Sequence, residues 1–176
     1  MNSKYFFMLA IVFSLFLTSC GSDNESLFTI EMETDLNIGA GLNNVETHFF
    51  ILRAVPTQIN SYLASRNVSK EAIGRVLASR ASLRGRFSDI DFRIIEKISI
   101  WVISRDDETL KREAFFLDFV PNNQSGDLKL FSSISEVKEI LLDDLIDIEI
   151  RVKLRAITPT NIETRLSLSF EAFAVE

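Results

Sequence analysis

The stretch Ile146-Asp-Ile-Glu-Ile-Arg-Val-Lys-Leu-Arg155 alternates apolar and charged residues without a break. A side-chain period of two belongs to a strand with one face buried and the other in water. After Thr158-Pro159-Thr160 the pattern resumes, with Ile162, Thr164, Leu166, Leu168 and Phe170 on the apolar face and Glu163, Arg165 and Ser167 between them. Two such runs joined by a turn predict a long antiparallel hairpin. Inward residues must oppose inward residues, which restricts the register to alternate steps. The tightest register sets Arg155 across from Glu163. The next sets it across from Arg165, which like-charge repulsion disfavours. Phe173 and Val175 fall out of phase and call for a bulge near Glu171.

The same period recurs upstream. Leu27–Glu33 alternates Phe28, Ile30 and Met32 with Thr29 and Glu31 and reads as a half-buried strand. Asp35–Glu46 carries Gly39, Gly41 and Asn43-Asn44 and reads as a loop. Its Gly-Ala-Gly lacks the third glycine and following helix of a dinucleotide fingerprint. His48–Val55 is apolar on both faces, which predicts a strand covered on both sides and ended by Pro56. From Leu77, a strand sets Leu77, Ala81, Leu83 and Phe87 on one face and Arg80, Ser82, Arg84 and Arg86 on the other. Ile98-Ser-Ile-Trp-Val-Ile103 has the strongest β character and predicts a central strand. Arg112–Val120 returns after the Asp106–Thr109 turn, and Leu128–Phe131 is a brief strand. Helical spacing is confined to Thr57–Ser65, Ser69–Val76 and Ser133–Leu142, the last with a Ser133/Glu136 capping box. Together these predict a mainly β fold, an antiparallel β-sandwich of about seven or eight strands with two or three short inserted helices, one of them covering part of an outer face. An α+β open sheet is the runner-up.

The chain opens with MNSKYFFMLAIVFSLFLTSC, residues 1–20, in which Lys4 precedes an apolar run from Phe6 to Leu17. That run is well short of the roughly 20 residues a bilayer span takes. A short apolar run behind a charge and before small residues is the pattern of an export signal. Leu17-Thr18-Ser19-Cys20 resembles the box of a bacterial lipoprotein signal, which is cut before the Cys and whose Cys sulfur is acylated. All four positions match, and the single Cys of the chain is the one the box uses. The resemblance implies cleavage between Ser19 and Cys20 and a covalent lipid such as palmitate on Cys20. Because Gly21 rather than Asp follows, it also implies residence at the outer membrane of a Gram-negative envelope. Two or more acyl chains hold a protein where one holds it only marginally. Removing the signal, residues 1–19, from the 176 leaves 157, enough for one ordinary domain. Residues 20–26 read as a lipidated tether, its polar part spanning at most about 20 Å, and residues 27–176 as a single domain.

Signatures of chemistry are sparse. With Cys20 acylated, no disulfide can form. His48 is the only histidine, and the chain has no G-x-S-x-G, H-E-x-x-H or P-loop sequence. One His without a free Cys suits zinc poorly, so no cofactor is expected beyond the lipid on Cys20. Carboxylates cluster at Asp89/Asp91, Asp106/Asp107/Glu108 and Asp143/Asp144/Asp147. A glycosidase needs two of them about 5 to 9.5 Å apart, although Asp is also favoured in turns. The net charge of −6 disfavours nucleic acid as a partner. Residues 66–97 are an exception, with eight Lys and Arg against four acids. Arg80, Arg84 and Arg86 form a candidate binding patch for phosphates of lipopolysaccharide or an acidic envelope protein; the competing reading is a charge-blunted edge strand. The sequence therefore predicts a membrane-anchored envelope lipoprotein acting as a non-enzymatic binding or assembly module. The alternative is a surface glycan hydrolase using paired carboxylates. A pocket with two carboxylates and aromatic platforms would favour the hydrolase, and a flat charged or apolar patch the binding module.

Overall fold

The computed structural model describes residues 26–86, 90–124 and 126–175. The expected signal, Ser19 and Cys20, Phe87 and most of the expected tether lie outside the described residues. Eight strands are described: β1 (Ser26–Ile38), β2 (Thr47–Pro56), β3 (Ile73–Gly85), β4 (Ile95–Ser104), β5 (Lys111–Leu117), β6 (Leu128–Ser132), β7 (Leu145–Leu154) and β8 (Ile162–Ala174). All pair antiparallel, in the order β1-β8-β3-β6-β5-β4-β7-β2. The first strand thus pairs with the last, the second with the seventh, the third with the sixth and the fourth with the fifth. This is the jelly-roll arrangement, a long antiparallel ribbon folded over on itself. β6 is the corner strand, pairing with β3 through Leu128–Leu130 and with β5 through Phe131 and Ser132. The first sheet is β1-β8-β3-β6 and the second is β5-β4-β7-β2. Their inner faces share one core, in which the rings of Phe115 on β5 and Phe170 on β8 meet at 5.3 Å. The mainly β sandwich and its strand number are as the sequence predicts.

The partners of the two most regular strands are not. β7 lies between β2 and β4, and β8 between β1 and β3, so residues 155–161 cross from one sheet to the other. Alternation records which face of a strand is buried, and any strand with a buried face satisfies it equally. Arg155 has left the ladder. Its Nη1 donates to the carbonyls of Arg93 (2.8 Å) and Ile95 (2.7 Å) and its Nη2 to that of Val120. Glu163 lies opposite Asn37, while Arg165 is flanked by Asp35 on β1 and Arg84 on β3. Nor does β8 bulge at Glu171. It keeps its phase to Ala172 and turns Phe173 outward, where the Arg75 guanidinium sits 4.9 Å from the ring centre. The irregularities fall in its neighbours, at Ser26/Phe28 in β1 and at Ile73/Arg75 and Ala78/Arg80 in β3. Beside the first of the β3 irregularities, a Cβ on Gly74 would lie 2.4 Å from the Ala174 carbonyl oxygen, so only glycine fits there.

Other elements shift in length or role. Asp35–Ile38 continues β1 instead of opening the loop, since Leu36 and Ile38 keep the inward phase. β2 is an end strand of the sheet, and Phe49 and Ile51 face solvent rather than a covering layer. Helix α1 (Ile59–Arg66) forms as expected, with Ile59 and Leu63 buried. It guards an edge: the Tyr62 hydroxyl accepts from the Glu31 amide of β1 (3.1 Å), and its ring stacks on Phe28. An edge amide capped in this way cannot recruit another strand. The helix expected over Ser69–Val76 reduces to a single 3₁₀ turn, Lys70–Ala72, because Ile73 already starts β3. The one expected over Ser133–Leu142 reduces to α2 (Lys138–Leu141). The capping box does not form. The Ser133 hydroxyl accepts from the Ser135 amide (3.2 Å), Glu136 bridges to Leu77, and the Val137 amide donates to the Val76 carbonyl (3.0 Å). Backbone pairing along the open side of β3 has displaced the first helical turn.

Strand direction fixes the ends of the molecule. Thirteen residues of β1 run from Ser26 at one end to Ile38 at the other, about 40 Å at roughly 3.3 Å per residue. At the Ile38 end, buried Thr158 ties the β1–β2 loop to the β7–β8 turn. Its hydroxyl donates to the Gly39 carbonyl (2.7 Å) and accepts from the Leu42 amide (2.9 Å).

Candidate binding face

The basic stripe lies on the outer face of the first sheet. β3 is an interior strand between β8 and β6, so edge blunting does not explain its charge. β1 answers it from across β8. Arg84 pairs with Glu33 (3.5 Å), and Asp35 receives both Arg86 (3.0 Å) and Arg165 (3.1 Å). Arg80 sits on the same face, opposite Ser169, with no ion-pair partner among the described residues. All the paired side chains remain roughly half exposed, so each pair stabilises the fold only slightly.

The outer face of the second sheet is built differently. Adjacent strands bring Phe49 of β2 beside Arg151 of β7, Arg151 beside Ser99 of β4, and Glu149 beside Trp101, which lies opposite Glu113 of β5. The Trp101 indole donates to the Ser99 hydroxyl (3.2 Å), which leans the ring toward the Ile38 end. The Arg151 guanidinium lies 4.3 Å from the indole centre and 5.5 Å from the Phe49 ring centre. A cation between two aromatic faces is held by their ring quadrupoles. Glu149 fixes the arrangement from below. Only 8% exposed, it accepts from Arg151 Nε (2.7 Å) and pairs with Lys111 Nζ (2.6 Å), which itself sits 5.5 Å from the Trp101 ring. Burial pushes the Glu149 carboxyl up, but Lys111 and Arg151 outweigh it, and the group lies below its ordinary value. Above this layer is a hollow of about 380 Å³, lined among others by Thr47, Phe49, Lys97, Trp101, Arg151 and Lys153. Its size falls within the range of small-ligand sites, about 300–1,000 Å³.

Asp89 lies outside the described residues, and Asp91, Asp107, Asp144 and Asp147 are engaged by neighbouring amides and side chains. Asp91 accepts from the Arg93 amide (3.0 Å) and from its guanidinium (2.6 and 2.7 Å), bonds that lower its carboxyl to about 2. Asp107 accepts from the Thr109 hydroxyl and amide, and its carboxyl is lowered as well. Asp144 binds Asn60 at the start of α1. Asp147 is buried under Arg53 and accepts from the amide of Ala54, a residue held at φ 54 by the bulge in β2. His48 bonds the Asn43 carbonyl through Nε2 (2.7 Å) in the β1–β2 loop. Among the described residues, no group of three or more His, Cys, Asp or Glu is placed to hold a metal ion.

No family model matches the chain, and no curated protein matches it in sequence. Among solved structures, a chain described as Desmodium yellow mottle tymovirus is 12% identical over 91% of this chain and 95% of its own. The TM-score of that match is 0.28, too low to bear on function.

Sequence reasoning missed the face around Trp101. Its signals were present: Trp101 takes the opposite parity to Ile98, Ile100 and Val102, and Arg151 that of the solvated face of β7. Only the register brings them together.

Proposed function

We propose that this chain is an outer-membrane lipoprotein anchored through Cys20, whose jelly-roll domain is a binding module that presents the outer face of the second sheet. The observation that carries the reading is the hollow over Phe49, Arg151 and Trp101, in which a buried carboxylate fixes the arginine between two aromatic rings. Strand direction adds a second support. Thr47, Lys97 and Lys153 of the hollow lie toward the Ile38 end, whereas the tether joins at Ser26, at the opposite end. A lipid on Cys20 would hold the Ser26 end against the leaflet and turn the hollow away from it.

The hydrolase alternative draws less support. The hollow has the aromatic platforms that a glycan site needs, but a general acid also needs a raised carboxyl pKa. Glu149, Asp91 and Asp107 are all lowered by their partners.

The test uses the full-length protein in its own envelope. The wild type is expected to incorporate labelled palmitate, and Cys20→Ser is expected to incorporate none. A photo-crosslinking residue replacing Phe49 is expected to capture envelope components, and one replacing Arg80 to capture far fewer. Equal palmitate labelling of the wild type and the Cys20→Ser protein would overturn the anchor, and equal capture from both positions would overturn the binding face.

A further inference from the structure

We infer that the hollow over Trp101 takes an anionic saccharide, its carboxylate held by Arg151 and Lys153 and its sugar ring laid on the exposed ring of Phe49. The inference rests on the binding-module reading and names the ligand class for that same face.

Charge is the first argument. Lys97, Arg151 and Lys153 line the hollow against one acid, Glu113. Asp118, just outside the lining, pairs with Lys97 (2.5 Å), which leaves Arg151 and Lys153 as the hollow's cations in a chain whose net charge is −6. Beneath them the charge of Glu149 is matched by Lys111. The hollow is therefore a cationic spot on an acidic protein, and a low-dielectric wall of aromatic rings strengthens its field. The second argument is donor geometry. Glu149 engages Arg151 through Nε, and among the described residues nothing accepts from its terminal amino groups. A guanidinium offering its free edge suits a planar carboxylate, which can accept two parallel N–H bonds. Lys153 spends one of its three N–H donors on the Val45 carbonyl (2.6 Å) and keeps two for a ligand. Thirdly, the aromatic surface calls for a ligand with a flat apolar face. Phe49 is 60% exposed, and an exposed ring this close to charged groups gives a pyranose both its C–H face contact and its polar rim. The Thr47 hydroxyl adds neutral hydrogen-bonding capacity at the same rim. Finally, Glu149 fixes Arg151 before any ligand arrives, so little side-chain entropy is lost on binding.

The chain carries its own reporter, because Trp101 is the sole tryptophan. Full-length lipid-bearing protein in detergent micelles is titrated with trigalacturonic acid, with neutral galactotriose and with inorganic phosphate while tryptophan emission is followed. The acidic sugar is expected to give a saturable change, with affinity at least about tenfold above that of the neutral sugar or phosphate and weakened by added salt. Phe49→Ser and Lys153→Gln, which leave the Glu149 clamp intact, are each expected to weaken binding at least about threefold. Arg151→Gln should abolish it, and Arg84→Gln on the opposite sheet should leave it unchanged. Equal affinity for neutral and acidic sugar, phosphate binding as tightly as the acidic sugar, or no emission change with any probe would each overturn the assignment. If crosslinks through position 49 persist while no sugar alters the emission, the saccharide falls and the binding face stands. If the crosslinks vanish while the acidic sugar binds, the saccharide stands without an envelope partner.

Discussion

The two outer faces of the sandwich start from the same kind of sequence and end as different surfaces. β7 and β8 both alternate apolar residues with polar or charged ones, and both turn the apolar set inward. On the first sheet, the outward charges meet opposite charges across neighbouring strands, and Glu33, Asp35, Arg84, Arg86 and Arg165 stay roughly half exposed. On the second, β7 lies between β2 and β4, whose outward positions carry Phe49 and Trp101. The long basic side chains fold onto those rings, and Glu149 ends up beneath them, 8% exposed. Burial raises the stakes of each charge. A pair in water can be broken at little cost, whereas a buried carboxylate must keep its partners.

That difference is measurable, and its largest expected effect is on Glu149. Glu149→Ala strands Arg151 and Lys111 beside the aromatic rings. Breaking a fully buried pair costs about 3–5 kcal/mol. Here Arg151 and Lys111 keep 33% and 23% of their side-chain surface exposed, so a loss of about 2 kcal/mol is expected in urea unfolding. The matching change on the first sheet, Glu33→Ala, is expected to cost at most about 0.5 kcal/mol. Equal losses would erase the distinction between the faces.

Acid should separate them next. The Glu149 carboxyl lies below its ordinary value in the folded protein, so the unfolded chain binds the proton more readily. Its contribution is therefore fully present above the unfolded value, about 4.3, and is lost as pH falls through the folded one. Stability of the wild type is expected to fall more steeply below about pH 4.3 than that of Glu149→Gln, with parallel curves above about pH 6. The smallest expected effect is that of Arg80→Gln. Arg80 has no ion-pair partner among the described residues, so its replacement should change stability by less than about 0.5 kcal/mol.

The same contrast explains how much of the molecule was legible in the sequence. Burial was legible wherever a period of two ran unbroken, as in Ile146–Leu154 and Ile162–Phe170, because side-chain direction is a local property of a strand. Partnership was not. The joining of Asp35 to Arg165 and Arg86, and of Glu149 to Trp101, depends on strands far apart in sequence. The expected hairpin failed for that reason, and the Trp101 face stayed hidden for the same one. Local capping rules failed where backbone pairing competed with them, as at Glu136 and Val137, which pair with Leu77 and Val76 of β3, while the Ser133 amide donates to Ala114 of β5. Basic residues on β3 were legible as a stripe, but the acids that answer them sit two strands away on β1.

A pair of double-mutant cycles tests the central contrast most directly, one combining Glu149→Gln with Arg151→Gln and the other combining Glu33→Gln with Arg84→Gln. Each cycle isolates the coupling between its two side chains from their separate effects on stability. A preformed, partly buried clamp predicts coupling above about 1 kcal/mol in the first cycle and below about 0.5 kcal/mol in the second. Coupling near zero between Glu149 and Arg151 would contradict the clamp, and with it the reading of this face as a site built in advance of its ligand.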